Sequence, residues 1–209
     1  MAQPKVAPGP EIVVSNETEA APRIVRLGMT ADEYFAGPET LIPHNLIDGM
    51  LYVSPSPFMK HQRAVGALYQ AVAGFAEETG GEAILSPMDC KLSDGTVTQP
   101  DVAYVRPDRL HIIEDHVMGA PDLVIEVLSK GTRRFDRTTK LDAYGRNGVG
   151  EAWLVDPEGE TVIVYTGDGS EWVREQSVLF GEDIPSGVVQ LGAAGLVSSD
   201  PEPVTDLAE

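Results

Sequence analysis

The chain has 209 residues, with 33 Asp and Glu against 15 Lys and Arg, giving a formal charge of −18. Charge of that sign repels nucleic acid in general and excludes a basic coat protein. Its single cysteine, Cys90, excludes an internal disulfide and fits a reducing cytoplasm, and no apolar run approaches the roughly 18 residues that cross a bilayer.

In chain order, residues 1–28 are rich in Pro, Glu and Ala without periodicity, and they predict disorder rather than a signal peptide. Thr30 followed by Glu33 predicts a capping box on a short helix. Asn45 to Val53 reads as a hairpin turned by Asp48-Gly49, because Asp-Gly supplies positive φ between two apolar runs. Ser54-Pro55-Ser56-Pro57 breaks it. From Phe58 to Thr79 the apolar residues Val65, Leu68, Tyr69, Val72, Phe75 and Ala76 fall at helical spacing, and Gly80-Gly81 ends that helix. Residues 82–92 and 97–105 predict two extended segments around Ser93-Asp94-Gly95.

Leu123 to Leu128 is a short apolar run between Pro121 and Ser129-Lys130-Gly131, the pattern of a strand buried on both faces. One carboxylate, Glu126, sits inside it, and a buried carboxylate calls for a cation or a hydrogen-bond network. A helix is expected from Arg133 to Asn147, capped by Thr132 and ended at Gly148. Trp153–Val155, Thr161–Tyr165 and Glu171–Glu175 then predict a β-meander. The signal fades beyond Gly181. The organisation expected is a disordered segment at 1–28, one α/β (α+β) domain at 29–181 and an extended or disordered acidic tail at 182–209.

Three pieces carry chemistry. Asp101 opens one extended segment and Glu126 lies in the next strand, so neighbouring strands would bring the two carboxylates together. Such a pair suits Mg²⁺ or Mn²⁺, which take oxygen ligands, keep several waters and stabilise a phosphodiester under attack. Lys130, Arg133, Arg134, Arg137 and Lys140 place five of the fifteen basic residues within eleven positions, a candidate phosphate contact at a helix start. The bland alternatives are a structural ion pair for Glu126, a turn cap for Asp101 and a solvated face for the arginines. Asp122 reads as a loop-fixing residue. His44, His111 and His116 lack ligand spacing, and Cys90 reads as an inert core residue.

PDVAYV, then GAPDLVIEVLS, then TRRFDRTTKLDAYGRNGVGEAWLVDP is similar to the bacterial Uma family of restriction-endonuclease-like proteins, within the PD-(D/E)XK nuclease superfamily. The resemblance runs from Tyr34 to Tyr165 and includes IDG at 47–49 and SPSPFMKHQ at 54–62. It implies a restriction-endonuclease-like core, a mixed sheet flanked by helices, and metal-dependent cleavage of nucleic acid. By position, Asp101 and Glu126 match the metal-holding acids, and His61 matches a family histidine. The superfamily lysine position two residues after the acid holds Leu128 here, so the resemblance shifts that role to Lys140, with Lys130 as its rival. Asn45 stands where relatives often carry a glutamate.

The expectation is a cytoplasmic, Mg²⁺- or Mn²⁺-dependent endonuclease in which Asp101, Glu126 and Lys140 are catalytic. Asp101 and Glu126 would hold the ion. His61, Lys130, Arg133, Arg134 and Arg137 are candidate substrate contacts, weak binding to DNA is expected, and a homodimer is left open. The competing reading is a catalytically degenerate nuclease fold serving as a binding or assembly module.

Overall fold

The computed structural model describes residues 21–38, 40 and 42–191. The strands are β1 (Arg23–Arg26), β2 (His44–Ile47), β3 (Met50–Val53), β4 (Glu82–Leu85), β5 (Cys90–Ser93) and β6 (Thr96–Thr98). They continue with β7 (Val102–Val105), β8 (Leu123–Val127), β9 (Glu151–Asp156), β10 (Thr161–Gly167) and β11 (Trp172–Leu179). One sheet has the order β1-β3-β2-β6-β5 and the other β11-β10-β9-β8-β7-β4. The second is mixed: β8 and β9 run parallel and its other pairs run antiparallel.

Local chemistry explains several elements. Helix α1 (Ala31–Phe35) begins with the expected box, Thr30 accepting from Glu33 N–H and Glu33 reaching back to Thr30 N–H. Asp48 (φ 50°) and Gly49 (φ 75°) form the hairpin turn between β2 and β3. Helix α2 (Met59–Thr79) stops at Gly80, whose φ of 80° releases the chain at low cost.

The expected segments at 82–92 and 97–105 are each divided between the two sheets, β4 and β7 going to one and β5 and β6 to the other. Residues 23–26, expected to be disordered, form edge strand β1 on β3. Residues 1–20 of that expectation lie outside the described residues, as does the tail beyond 191. Packing continues past Gly181: Val189 is buried in the main core.

Alternation along β8 decides what each face of the mixed sheet carries. Leu123, Ile125 and Val127 join Val65, Leu68 and Val72 of α2. Val124 and Leu128 join Leu141 and Tyr144 on the opposite face, and Glu126 shares their parity. Each fully buried large apolar side chain contributes about 1.5–3 kcal/mol.

The helix against that second face spans residues 133–146, and we call it the site helix. It is α-helical at Arg133–Phe135, π-helical at Asp136–Lys140 and α-helical again at Leu141–Arg146. The wide turn shows in Leu141 N–H donating to Asp136 O, five residues back. Phe135 and Ala143 pack on Ile47 and Tyr52 of the first sheet. Covered on two sides, the site helix buries even its lysine. Among the described residues no helix is long and apolar enough to cross a membrane.

Candidate active site

Antiparallel pairing sets Val102 of β7 opposite Ile125 of β8. Asp101, just before β7, therefore meets the end of β8. Val127 N–H donates to Asp101 Oδ2 at 2.8 Å, and His61 Nε2, from the first turn of α2, lies 3.2 Å from the same oxygen. Glu126, 3% exposed, faces the site helix. Its Oε1 lies 2.6 Å from Lys140 Nζ and accepts from the Tyr144 hydroxyl at 2.5 Å. Lys140 also donates to Gln99 O at 3.2 Å. Lys140 and Tyr144, one helical turn apart, address one carboxylate together.

These groups line a cavity of about 260 Å³ that His61, Asn45, Gln99, Asp101, Glu126, Asp136 and Lys140 share. Asp136 is the residue that sequence reasoning passed over, sitting as it does within the basic block from Lys130 to Lys140. It is 4% exposed. The available signal was its place four before Lys140 and eight before Tyr144, on one inward stripe.

Three carboxylates thus surround one ammonium and one imidazole. Burial raises Glu126 to about 8, Lys140 opposing the rise while Asp101 and Asp136 add to it. Burial likewise raises Asp136 to about 6 against the pull of Lys140 and a hydrogen bond from the Thr132 side chain. For Lys140, burial works downward, yet the fields of Glu126, Asp136 and Asp101 carry it above the ordinary lysine value. The two members of the ion pair move the same way because the ammonium sees three acids, whereas the acids share one ammonium. Lys140 stays charged and the acid cluster retains a proton near neutrality. His61 moves up as well: burial lowers it, but the hydrogen bond and charge of Asp101 and the fields of Glu126 and Asp136 outweigh that.

An acid surplus of this kind fits a cation. Among the described residues Asp101 Oδ1 and Glu126 Oε2 accept no hydrogen bond from the protein, which leaves one hard oxygen on each. Among the described residues no group of three or more His, Cys, Asp and Glu is arranged to hold a metal. A two-oxygen donor set suits Mg²⁺ or Mn²⁺, whose shells are filled largely by water and phosphate, and does not suit a structural Zn²⁺.

The basic block does not enter the cavity, apart from Lys140. Arg133 grips Asp156 through both nitrogens at 2.5 and 2.8 Å and lies 3.6 Å from Glu158. Lys130, 82% exposed, lies 3.8 Å from Glu158. Arg134 and Arg137 are exposed on the outer side of the helix. Thr132 holds the expected cap position but makes no capping bond, its hydroxyl lying 2.9 Å from Ser129 Oγ. Asn45 accepts from Gln99 N–H at 2.9 Å and so braces the loop that carries Asp101. Asp122, as expected, fixes a loop, accepting from Arg106 N–H and Arg109 Nη1, both at 2.9 Å.

Residues 31–194 match the model of a protein family described as "Putative restriction endonuclease", Uma2. The chain belongs to the Uma2 family. Its fold resembles the crystal structure of a putative nuclease of the DUF820 group from Anabaena variabilis ATCC 29413. That likeness has a TM-score of 0.66 at 22% identity and covers 80% of this chain and 96% of the other. No curated protein matches the chain. Within the Uma2 match lie all the residues that build the cavity, from Thr40 to Lys140.

Proposed function

We propose that this Uma2 protein is a Mg²⁺- or Mn²⁺-dependent endonuclease that hydrolyses phosphodiester bonds in DNA. Asp101 and Glu126 would hold the ion. The observation that carries the reading is the meeting of Asp101, Glu126 and Lys140, from the lead-in to β7, from β8 and from the site helix, in one cavity with more acid than base.

When bound, a divalent ion supplies Lewis-acid stabilisation of the charge that builds on the phosphate. The chain's own groups do the rest. Val127 N–H and His61 fix the Asp101 carboxylate, and Tyr144 and Lys140 fix that of Glu126, so neither rotates when a substrate arrives. Lys140, kept charged by three acids, presents a positive group to a phosphate oxygen or to the attacking water. Gln99 O anchors its ammonium from the side. The low exposure of Glu126 and Lys140 strengthens each of these interactions by excluding bulk water.

The test is nicking of plasmid DNA by the purified chain with Mn²⁺, Mg²⁺ or EDTA, beside isothermal titration with Mn²⁺. Asp101→Asn and Glu126→Gln are expected to remove both cleavage and Mn²⁺ binding, with Glu126→Gln keeping the melting temperature, since the acid cluster already holds a proton near neutrality and Asp101 and Asp136 still face Lys140. Cleavage that survives both substitutions would sink the assignment.

A further inference from the structure

The mouth of the cavity is built unlike its floor. Lys140 is the one Lys or Arg among the residues that line the cavity, and it lies at the bottom, 4% exposed. Lys130 and Arg133 adjoin the lining residues Ser129 and Thr132 and lie against Glu158 and Asp156. Toward solvent the lining passes through Ile42, Pro43, Pro55 and Pro57, with the neutral polar Thr40, Ser54 and Gln62 among them. Phe58 and Met59 follow directly on Pro57 and are 73% and 67% exposed, and Ile42 is 57% exposed. Lys60 and Arg63 stand exposed on the first turns of α2, Arg63 one turn beyond Met59.

A duplex is held chiefly by an array of cations on its phosphates. This mouth offers uncharged faces instead, with Lys60 and Arg63 flanking them and the nearby Lys130 and Arg133 paired to acids. Single strands are bound in the opposite manner, by bases stacked on aromatic or apolar side chains beside a backbone tracked by a few charges. Depth points the same way. A phosphate must descend to Glu126 and Lys140, and a cavity of about 260 Å³ admits one nucleotide unit rather than a paired helix. Inside, Asn45 is 3% exposed, and Gln99 N–H holds its Oδ1. Its amide nitrogen, without a protein partner among the described residues, remains as a neutral donor in the lining.

From this geometry we infer that the substrate strand enters unpaired, as single-stranded or looped nucleic acid. Its bases lie on Phe58, Met59 and Ile42, and one phosphate descends past Asn45 to the carboxylates. The inference rests on the nuclease reading for the ligand being nucleic acid.

Two measurements on the full chain test it. Fluorescence anisotropy of a labelled single strand and of a blunt hairpin of the same composition, its stem closed by a non-nucleotide linker so that no base is unpaired, is read on the Asp101→Asn protein, so that cleavage does not intrude. Cleavage of both substrates with Mn²⁺ is read on the unaltered chain. The single strand is expected to bind and to be cut about ten-fold better than the hairpin stem. Phe58→Ala should weaken strand binding about ten-fold, the size of one lost base–aromatic stack, while Phe58→Trp retains it. With its side chain in solvent, Phe58 can be replaced without loss of folding, which a melting curve checks. Equal or tighter binding of the hairpin, or strand binding indifferent to Phe58→Ala, would overturn the inference and leave the nuclease reading in place. Strand binding with the expected Phe58 dependence, but no cleavage with Mn²⁺, would support the strand site and overturn the nuclease reading.

Discussion

Two glutamates on neighbouring parallel strands are buried in this molecule, and they are held by opposite means. Glu151 of β9, 1% exposed, accepts from Trp153 Nε1 and Gly187 N–H, each at 2.8 Å, and from the Ser186 hydroxyl. All those donors are neutral, and they tie the segment after β11 onto the sheet. Glu126 of β8, 3% exposed, shares one ammonium with Asp101 and Asp136 and takes one hydroxyl. The first is a completed structural knot. The second retains a free oxygen, an excess of like charge and a raised affinity for protons, which support its place in the proposed site. Burial alone therefore does not mark function; the difference lies in whether the local charges balance.

The contrast can be broken most forcefully at its cation. Lys140→Met leaves three carboxylates without their ammonium, a loss of about 3–5 kcal/mol for an uncompensated buried charge. Because those acids can take up protons instead, the loss should be greater at pH 8 than at pH 6. Urea unfolding at both pH values measures it, and equal losses at the two would mean that the acids do not share one charge.

At the structural glutamate the expected loss is smaller and blind to metal. Glu151→Gln turns an amide nitrogen toward groups that donate, and costs about 2–3 kcal/mol through unmatched buried donors. Mn²⁺ affinity should not move. Thermal melts with and without Mn²⁺ separate the two effects, and a change in Mn²⁺ affinity would tie Glu151 to the site after all.

Titration gives the gentlest test. Folded Glu126, at about 8, holds a proton that the unfolded chain releases at its ordinary value of 4.5. Folding thus takes up a proton between those limits, and stability falls as pH rises through the window, then levels above about 8. Its steepest slope is about 1.4 kcal/mol per pH unit for one group. Asp136, at about 6, adds to the early part of the fall. Any cation that needs the ionised carboxylates must displace those protons, so Mn²⁺ affinity should rise across the same window. Titration calorimetry in buffers of different ionisation enthalpy reads that proton release, and its absence would show the acids already ionised.

Much of this was legible in the chain. The apolar run around Glu126, the Asp48-Gly49 turn, the α2 stripe and the Thr30 box all rest on contacts close in sequence, which periodicity and turn chemistry report. Asp101 and Glu126 meet because adjacent strands pair, a short inference. The division of residues 82–105 between two sheets was not legible, since β-propensity names a strand without naming its partner. Nor was the diversion of Arg133 to Asp156, which depends on β9 ending beside the site helix. Strand β1 escaped notice because Arg23-Ile24-Val25-Arg26 carries charges at both ends, a habit of edge strands that resembles a polar tail.

The wide turn at Asp136–Lys140 sets the rotational phase of everything upstream of it. A π-turn holds one residue more than the α-turn it replaces, so a single deletion at Thr138 or Thr139 would restore an ordinary helix. That deletion would leave the first turn in phase with Lys140 and Tyr144, whereas winding the full sequence as an ordinary helix would rotate it by about 100°, the angle one residue subtends. In that full-length ordinary helix Asp136 would leave the cavity, Phe135 would lose its seat on Tyr52, and Arg133 would swing off Asp156. The wide turn thus absorbs one residue of the sequence, and a one-residue alignment gap here would remove the bulge while keeping the flanking residues in register.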